Sequence, residues 1–126
     1  MRRFVTNFFV VITIILQSYF MILEIFLWDK PRTYKTFGLS EDFAIQSKTM
    51  ALNQGLYNGF LAAGLVWSLL SSDIEFSFQL KFFFLSCMFI AGVVGGITVT
   101  KKIILVQALP ALIPLILLLI HRIGVL

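Results

Sequence analysis

Charge is scarce in this chain of 126 residues: Asp, Glu, Lys and Arg make up 13% of it, and hydrophobic residues reach 60%. An average soluble domain holds about 25% charged residues. A soluble domain of this size has too little interior for so much apolar surface, so the chain needs an apolar solvent. Disordered and collagen-like classes are excluded. Cysteine is nearly absent as well. The lone Cys87 lies within an apolar stretch, so no internal disulfide can form and redox compartment is not indicated; it reads as a small core residue. With one histidine, one cysteine and one carboxylate inside the apolar stretches, a single chain cannot assemble a metal cluster, a haem pair or a zinc motif. No phosphate loop or nucleophile elbow occurs. No metal and no cofactor is expected.

What is present is four uncharged apolar runs, at 4–23, 49–72, 82–100 and 103–120. A helix needs roughly 20 apolar residues to cross a hydrocarbon core of about 30 Å, and lipid leaves backbone groups no partner outside the helix itself. The runs predict transmembrane helices at about 4–28, 49–71, 81–100 and 103–121. Met1-Arg2-Arg3 followed by an apolar run also suits a secretory signal peptide. The run is followed through Gln17, Ser18, Tyr19 and Phe20 with no small-x-small cleavage site, so a retained first helix is expected. Connections are short, which favours antiparallel neighbours. The expected fold is all-α: one polytopic membrane domain over 1–126, a four-transmembrane-helix up-down bundle, with no room for an extramembrane catalytic domain.

Loop one is the only sizeable connection. Pro31 should stop the first helix, and Ser40 before Glu41 and Asp42 reads as an N-cap with acidic residues in the first turn. A helix starting near Glu41 then either runs into the second span or breaks near Thr49. Loops one and three carry Lys30, Arg32, Lys35, Lys48, Lys101 and Lys102, against Arg2, Arg3, Lys81 and Arg122 on the opposite side. The positive-inside tendency puts loops one and three in the cytoplasm and both termini outside a cell membrane. The net charge of +4 is dispersed among the spans, which suits lipid headgroups and not nucleic acid.

Polar side chains inside spans are costly and face the bundle interior or a wet cavity. Glu24 lies one turn before Trp28, an interfacial residue, and Asn53, Gln54, Tyr57 and Asn58 occupy the first turns of the second span. Gln107 follows Lys102 closely. These residues predict a polar pocket opening toward loops one and three, with Glu24 as candidate acid/base and Asn53, Gln54, Tyr57, Asn58 and Gln107 as binding groups. At about 100° per residue, Thr6, Thr13, Gln17 and Glu24 form one polar stripe. Gly55, Gly59 and Ala63 form a small-residue stripe on a different face of the second helix, and Gly92 with Gly96 another on the third, both suited to packing or to a homodimer seam.

Each feature also has a purely structural reading. Amides and hydroxyls often only join helices, at about 0.6 kcal/mol on average, and Gln17 and Thr13 suit that role as well as any other. Glu24 could pair with Arg32 or Lys30. Pro110 and Pro114 free the carbonyls of Val106 and Pro110. His121, beside Arg122, reads as an interfacial residue.

The stretch Tyr19-Phe20-Met21-Ile22-Leu23-Glu24-Ile25-Phe26-Leu27-Trp28, then Pro31-Arg32 and Phe37-Gly38-Leu39, together with Asn53-Gln54-Gly55-Leu56-Tyr57-Asn58-Gly59-Phe60 and Val106-Gln107-Ala108-Leu109-Pro110, resembles a family of small bacterial integral membrane proteins catalogued only as a domain of unknown function. The resemblance covers nearly the whole chain. It implies four spans and carries no established activity. The family pattern has histidine where Gln17 stands, so a proton-transfer role is not carried to that position, since an amide does not titrate. Three functions follow from these readings: binding of a small amphiphile or lipid, as an enzyme or as a binding protein; proton-coupled export by a dimer, as in small multidrug transporters; or a structural or assembly subunit.

Overall fold

A computed structural model describes residues 2–124, and these fold entirely as helix and connecting turns, with no strand among them. The elements are α1 (Arg2–Phe26), α2 (Pro31–Thr36), α3 (Glu41–Gln46), α4 (Lys48–Leu70), α5 (Ile74–Thr98) and, after a π-helical turn at Ile104–Ala108, α6 (Leu109–Arg122). The side chain of Arg2, one of the basic residues weighed for orientation, lies outside the described residues. Three helical stretches are long and apolar enough to cross a membrane: Arg3–Phe26, Ile74–Thr98 and Ile104–Arg122. At 1.5 Å per residue, the 25 residues of α5 extend roughly 37 Å. Helix α4 is of similar length, 23 residues, but Asn53, Gln54, Tyr57 and Asn58 make it less apolar than these three.

Each long helix packs on two others. α1 lies against α4 and α6, and α5 lies against the same two. Val10, Leu65, Leu85, Met88, Ala111 and Leu115 meet at the centre, drawn from all four. The outer faces keep apolar side chains exposed, as at Phe8, Ile15 and Ile22 on α1. Surface of that kind is stable only in an apolar solvent.

Glycine sets how closely the helices approach. A Cβ on Gly55 would come within 2.7 Å of Ile25 Cγ1 on α1, and one on Gly92 within 2.5 Å of the Ala108 backbone nitrogen. Gly59 meets Met21 and Gly96 meets Ile104. Both glycine stripes expected as homodimer seams are thus occupied by the chain's own helices, and Ala63 is left exposed.

Several boundaries differ from expectation. Pro31 does not merely follow the end of α1: it is the first residue of α2, where its missing amide proton costs nothing. Ser40 Oγ accepts from Phe43 N and starts α3, which breaks at Ser47 before α4 resumes. Ser47 holds that break: its hydroxyl accepts from Trp28 Nε1 at 3.0 Å and donates to Phe43 O at 2.6 Å. Nearby, Lys48 Nζ lies 3.0 Å from Asp29 Oδ2 and holds the Asp29 carboxyl below the usual carboxylate range.

The third long helix begins at Ile74, well before residue 81. Asp73 caps it by accepting from Phe76 N at 2.9 Å, with Glu75 in the first turn. The connection from α4 therefore shrinks to Ser71–Asp73. Lys81 consequently belongs to the inside of a helix and not to a loop.

The prolines of α6 are accommodated by α1. Pro114 has no amide proton to give Pro110 O. Thr13 Oγ1 lies 2.9 Å from both Pro110 O and Phe9 O. Phe9 O already receives the α1 backbone bond, so the single hydroxyl proton is best used on Pro110 O. The π-helical turn immediately precedes Pro110, whose missing donor leaves Val106 O free of its usual partner.

Candidate functional site

The polar groups expected to converge near loop one separate into two sets. Glu24 and Asn58 come together, joined by Gln17. Gln17 Nε2 donates to Asn58 Oδ1 at 2.8 Å, and Asn58 Nδ2 donates to Glu24 Oε1. A carboxylate only accepts, so Asn58 must turn its NH2 toward Glu24 and its carbonyl toward Gln17. Gln17 is 2% exposed and Asn58 5%, between α1 and α4. Glu24 forms no ion pair with Lys30 or Arg32.

Asn53, Gln54 and Tyr57 lie on the exposed side of α4, away from that network, and Tyr57 stacks edge-on with Phe60. Gln107 is half-buried in the π-helical turn. The second helix therefore does not present one polar arc to a common pocket. Asn58 instead shares the glycine face, because Gly55 and Gly59 bring α4 close enough to α1 for a short amide to reach Gln17 and Glu24. What results is a closed hydrogen-bonded chain inside a helix interface.

One cavity, of about 360 Å³, lies beside α2 between Tyr19, Leu23 and Thr33, and another lies at the opposite end. About 430 Å³ opens where the start of α1, the α4–α5 connection, the first turns of α5 and the end of α6 meet. This volume falls within the roughly 300–1,000 Å³ of small-ligand sites. Its basic lining is Arg3, Lys81, His121 and Arg122, with Asn7 and Ser77 beside them, and no Asp or Glu lines it among the described residues. Arg122 is committed elsewhere. Its guanidinium forks onto Glu75, with Nη2 3.0 Å from Oε1, and lies 4.4 Å from the centre of the Phe78 ring.

Lys81 is the unusual member. It is 8% exposed and has no hydrogen-bond or ion-pair partner among the described residues. Ser77, one turn before it, donates its hydroxyl to Ser68 O at 2.6 Å. His121 Nδ1 shares a proton with Thr6 Oγ1 at 3.0 Å, so its ring is fixed against α1 and its second nitrogen is free of that bond. Asn7 Oδ1 is buried without a hydrogen-bond partner among the described residues. No group of three or more metal-ligating side chains occurs among them either.

Reading charges as span boundaries hid this end of the molecule. The signal was Asp73 with Glu75, a cap followed by an acidic first turn, which starts α5 early. From there the four-residue spacing of Ser77, Lys81 and Leu85 puts the lysine on the buried face.

A family model described as "Protein of unknown function (DUF1304)" matches residues 11–119. The chain belongs to the DUF1304 family. It is also 30% identical over 100 residues to the uncharacterized protein YpaA of Lactococcus lactis subsp. lactis (strain IL1403), covering 78% of this chain and 82% of that relative. No solved structure matches the chain. The family match spans α1 from its third turn to near the end of α6, so it takes in Gln17, Glu24, Asn58 and Lys81 but not Arg3, Asn7 or His121.

Proposed function

We propose that this DUF1304 member is a four-span membrane protein that holds the polar head of a small amphiphile in the cavity beside Lys81. α1, α4, α5 and α6 are read as an up-down bundle in a cell membrane. The α2–α3 segment and the α5–α6 turn would face the cytoplasm, and the cavity would open on the other side with both termini. α4 is read as the fourth span because Asn58, the amide deepest along it, is paired inside the protein, while the exposed Asn53 and Gln54 fall in its first two turns.

The observation that carries the reading is a lysine buried on a cavity wall with no protein partner. Its stem is buried and its ammonium faces the cavity, where a counter-charge would be held close in partly dry surroundings. The surrounding helices are apolar on their outer faces, so a molecule with a polar head and an apolar body fits both environments. The Gln17–Asn58–Glu24 chain has the opposite character. Its groups hydrogen-bond to one another across the two helices, which supports a structural role in fixing α1 against α4.

Native mass spectrometry of the full chain extracted from its membrane tests this reading. Co-purifying lipid is expected on the wild type and is expected to be lost in a cavity-filling Ser71→Phe variant. Equal lipid retention by both proteins would contradict it.

A further inference from the structure

We propose that the Lys81 cavity recognises a phosphoglycerol-type head, an anion that also carries a hydroxyl, presented by a lipid or by free glycerol phosphate. This inference rests on the reading of the cavity as a binding site and adds the chemical class of what it binds.

The first argument is charge. Among the cationic side chains on the wall, Arg122 is neutralised by Glu75, whereas Arg3 and Lys81 have no carboxylate partner among the described residues. Of the two acidic residues just before Lys81 in sequence, Glu75 holds Arg122 and Asp73 is engaged in capping α5. A head without an anion would leave Lys81 uncompensated and the cation of a zwitterionic head would compete with it, while a phosphate with no cation of its own supplies both net charge and several acceptor oxygens.

The second argument is donor and acceptor balance. Lys81 and Arg3 can only donate hydrogen bonds, which calls for acceptors on the ligand. Asn7 Oδ1 is a buried acceptor without a partner among the described residues, which calls for a donor on the same ligand. A bare phosphodiester ester oxygen cannot supply that proton. A glycerol hydroxyl beyond the phosphoester can, and His121, held by Thr6, leaves one further ring nitrogen for a second hydroxyl. The volume of about 430 Å³ accommodates such a head. Leu69, Phe78 and Leu118 on the same wall are suited to the start of an acyl chain.

The test uses the full chain in detergent and native mass spectrometry titrations with three probes: dioleoyl phosphatidylglycerol, dioleoyl phosphatidylcholine and glycerol 3-phosphate. Phosphatidylglycerol is expected to bind the wild type at least about tenfold more tightly than phosphatidylcholine, because its phosphate brings no competing cation to the Lys81 ammonium. Lys81→Met is expected to bring the two lipids level, and Lys81→Arg to keep the preference. Asn7→Leu is expected to weaken phosphatidylglycerol several-fold, leaving phosphatidylcholine unchanged. Binding of glycerol 3-phosphate without phosphatidylglycerol would support the same head chemistry from a water-soluble source.

Equal binding of both lipids by wild type, Lys81→Arg and Asn7→Leu would overturn the anion assignment yet leave the cavity as a lipid site. Absence of binding by all three probes would overturn both readings. Should Lys81→Met fail to fold, the Lys81→Arg and Asn7→Leu titrations still decide the question.

Discussion

The two ends of this protein bury polar groups in opposite ways. Near α2 and α3, Gln17, Asn58 and Glu24 form a chain in which each group meets another, pressed between α1 and α4 by Gly55 and Gly59. At the other end, Lys81 and Asn7 line a cavity without a hydrogen-bond partner among the described residues, Asn7 through a buried Oδ1. Satisfied groups specify how helices pack, and their removal is felt as lost stability. Unsatisfied groups cost stability as they stand, so their retention points to a ligand. Substitutions at the two ends should therefore change stability with opposite sign.

The largest effect is expected where backbone meets backbone. Gly92→Val places a branched side chain against the Ala108 nitrogen, where even a Cβ would stand at 2.5 Å, and should destabilise by about 3 kcal/mol or more. Thermal melts in detergent will show it. Next is Asn58→Leu, which strands Gln17 and Glu24 together and should cost about 1–3 kcal/mol. If Asn58→Leu melts with the wild type, the network is not what holds α1 on α4.

Lys81→Met should have the reverse sign, stabilising the lipid-free protein by about 1 kcal/mol, because an unpartnered ammonium is replaced by an apolar side chain of similar length. Thr13→Val should cost about 0.6 kcal/mol, the usual value for an interhelical hydrogen bond in a membrane, by withdrawing the proton offered to Pro110 O. The smallest effect belongs to the Asp29–Lys48 pair. Its carboxyl titrates below the usual range, so the contribution is present at neutral pH and is lost only as pH falls through that lowered value. Both side chains are solvent-exposed to a substantial degree, and Asp29→Asn should leave the melting temperature at neutral pH unchanged within error.

The same contrast explains what could be read from the sequence. Apolar runs announce helices because lipid permits little else, and Ser40 announced α3 because its cap is a local interaction. The polar stripe of α1 was legible too, since Thr6, Thr13, Gln17 and Glu24 follow one helical face. Which amide of α4 would meet it was not legible from polarity alone. Asn53, Gln54 and Asn58 are alike in chemistry. Only the glycines beside Asn58 distinguish it, and they act through how near the backbones come. At the Lys81 end, the misreading came from treating charge as the edge of a span. A helix capped at Asp73 can carry Glu75 and Lys81 in its first turns because Glu75 is exposed and paired with Arg122 and Lys81 stands against a cavity, where charge is tolerated.

The central claim is that Lys81 is retained for an anionic amphiphile. Melting temperatures of wild type and Lys81→Met, each measured with and without added phosphatidylglycerol, test it most directly. The account predicts that the variant starts higher and gains little from the lipid, while the wild type starts lower and rises past it. Equal gains for the two proteins, or a variant that starts lower, would contradict the account.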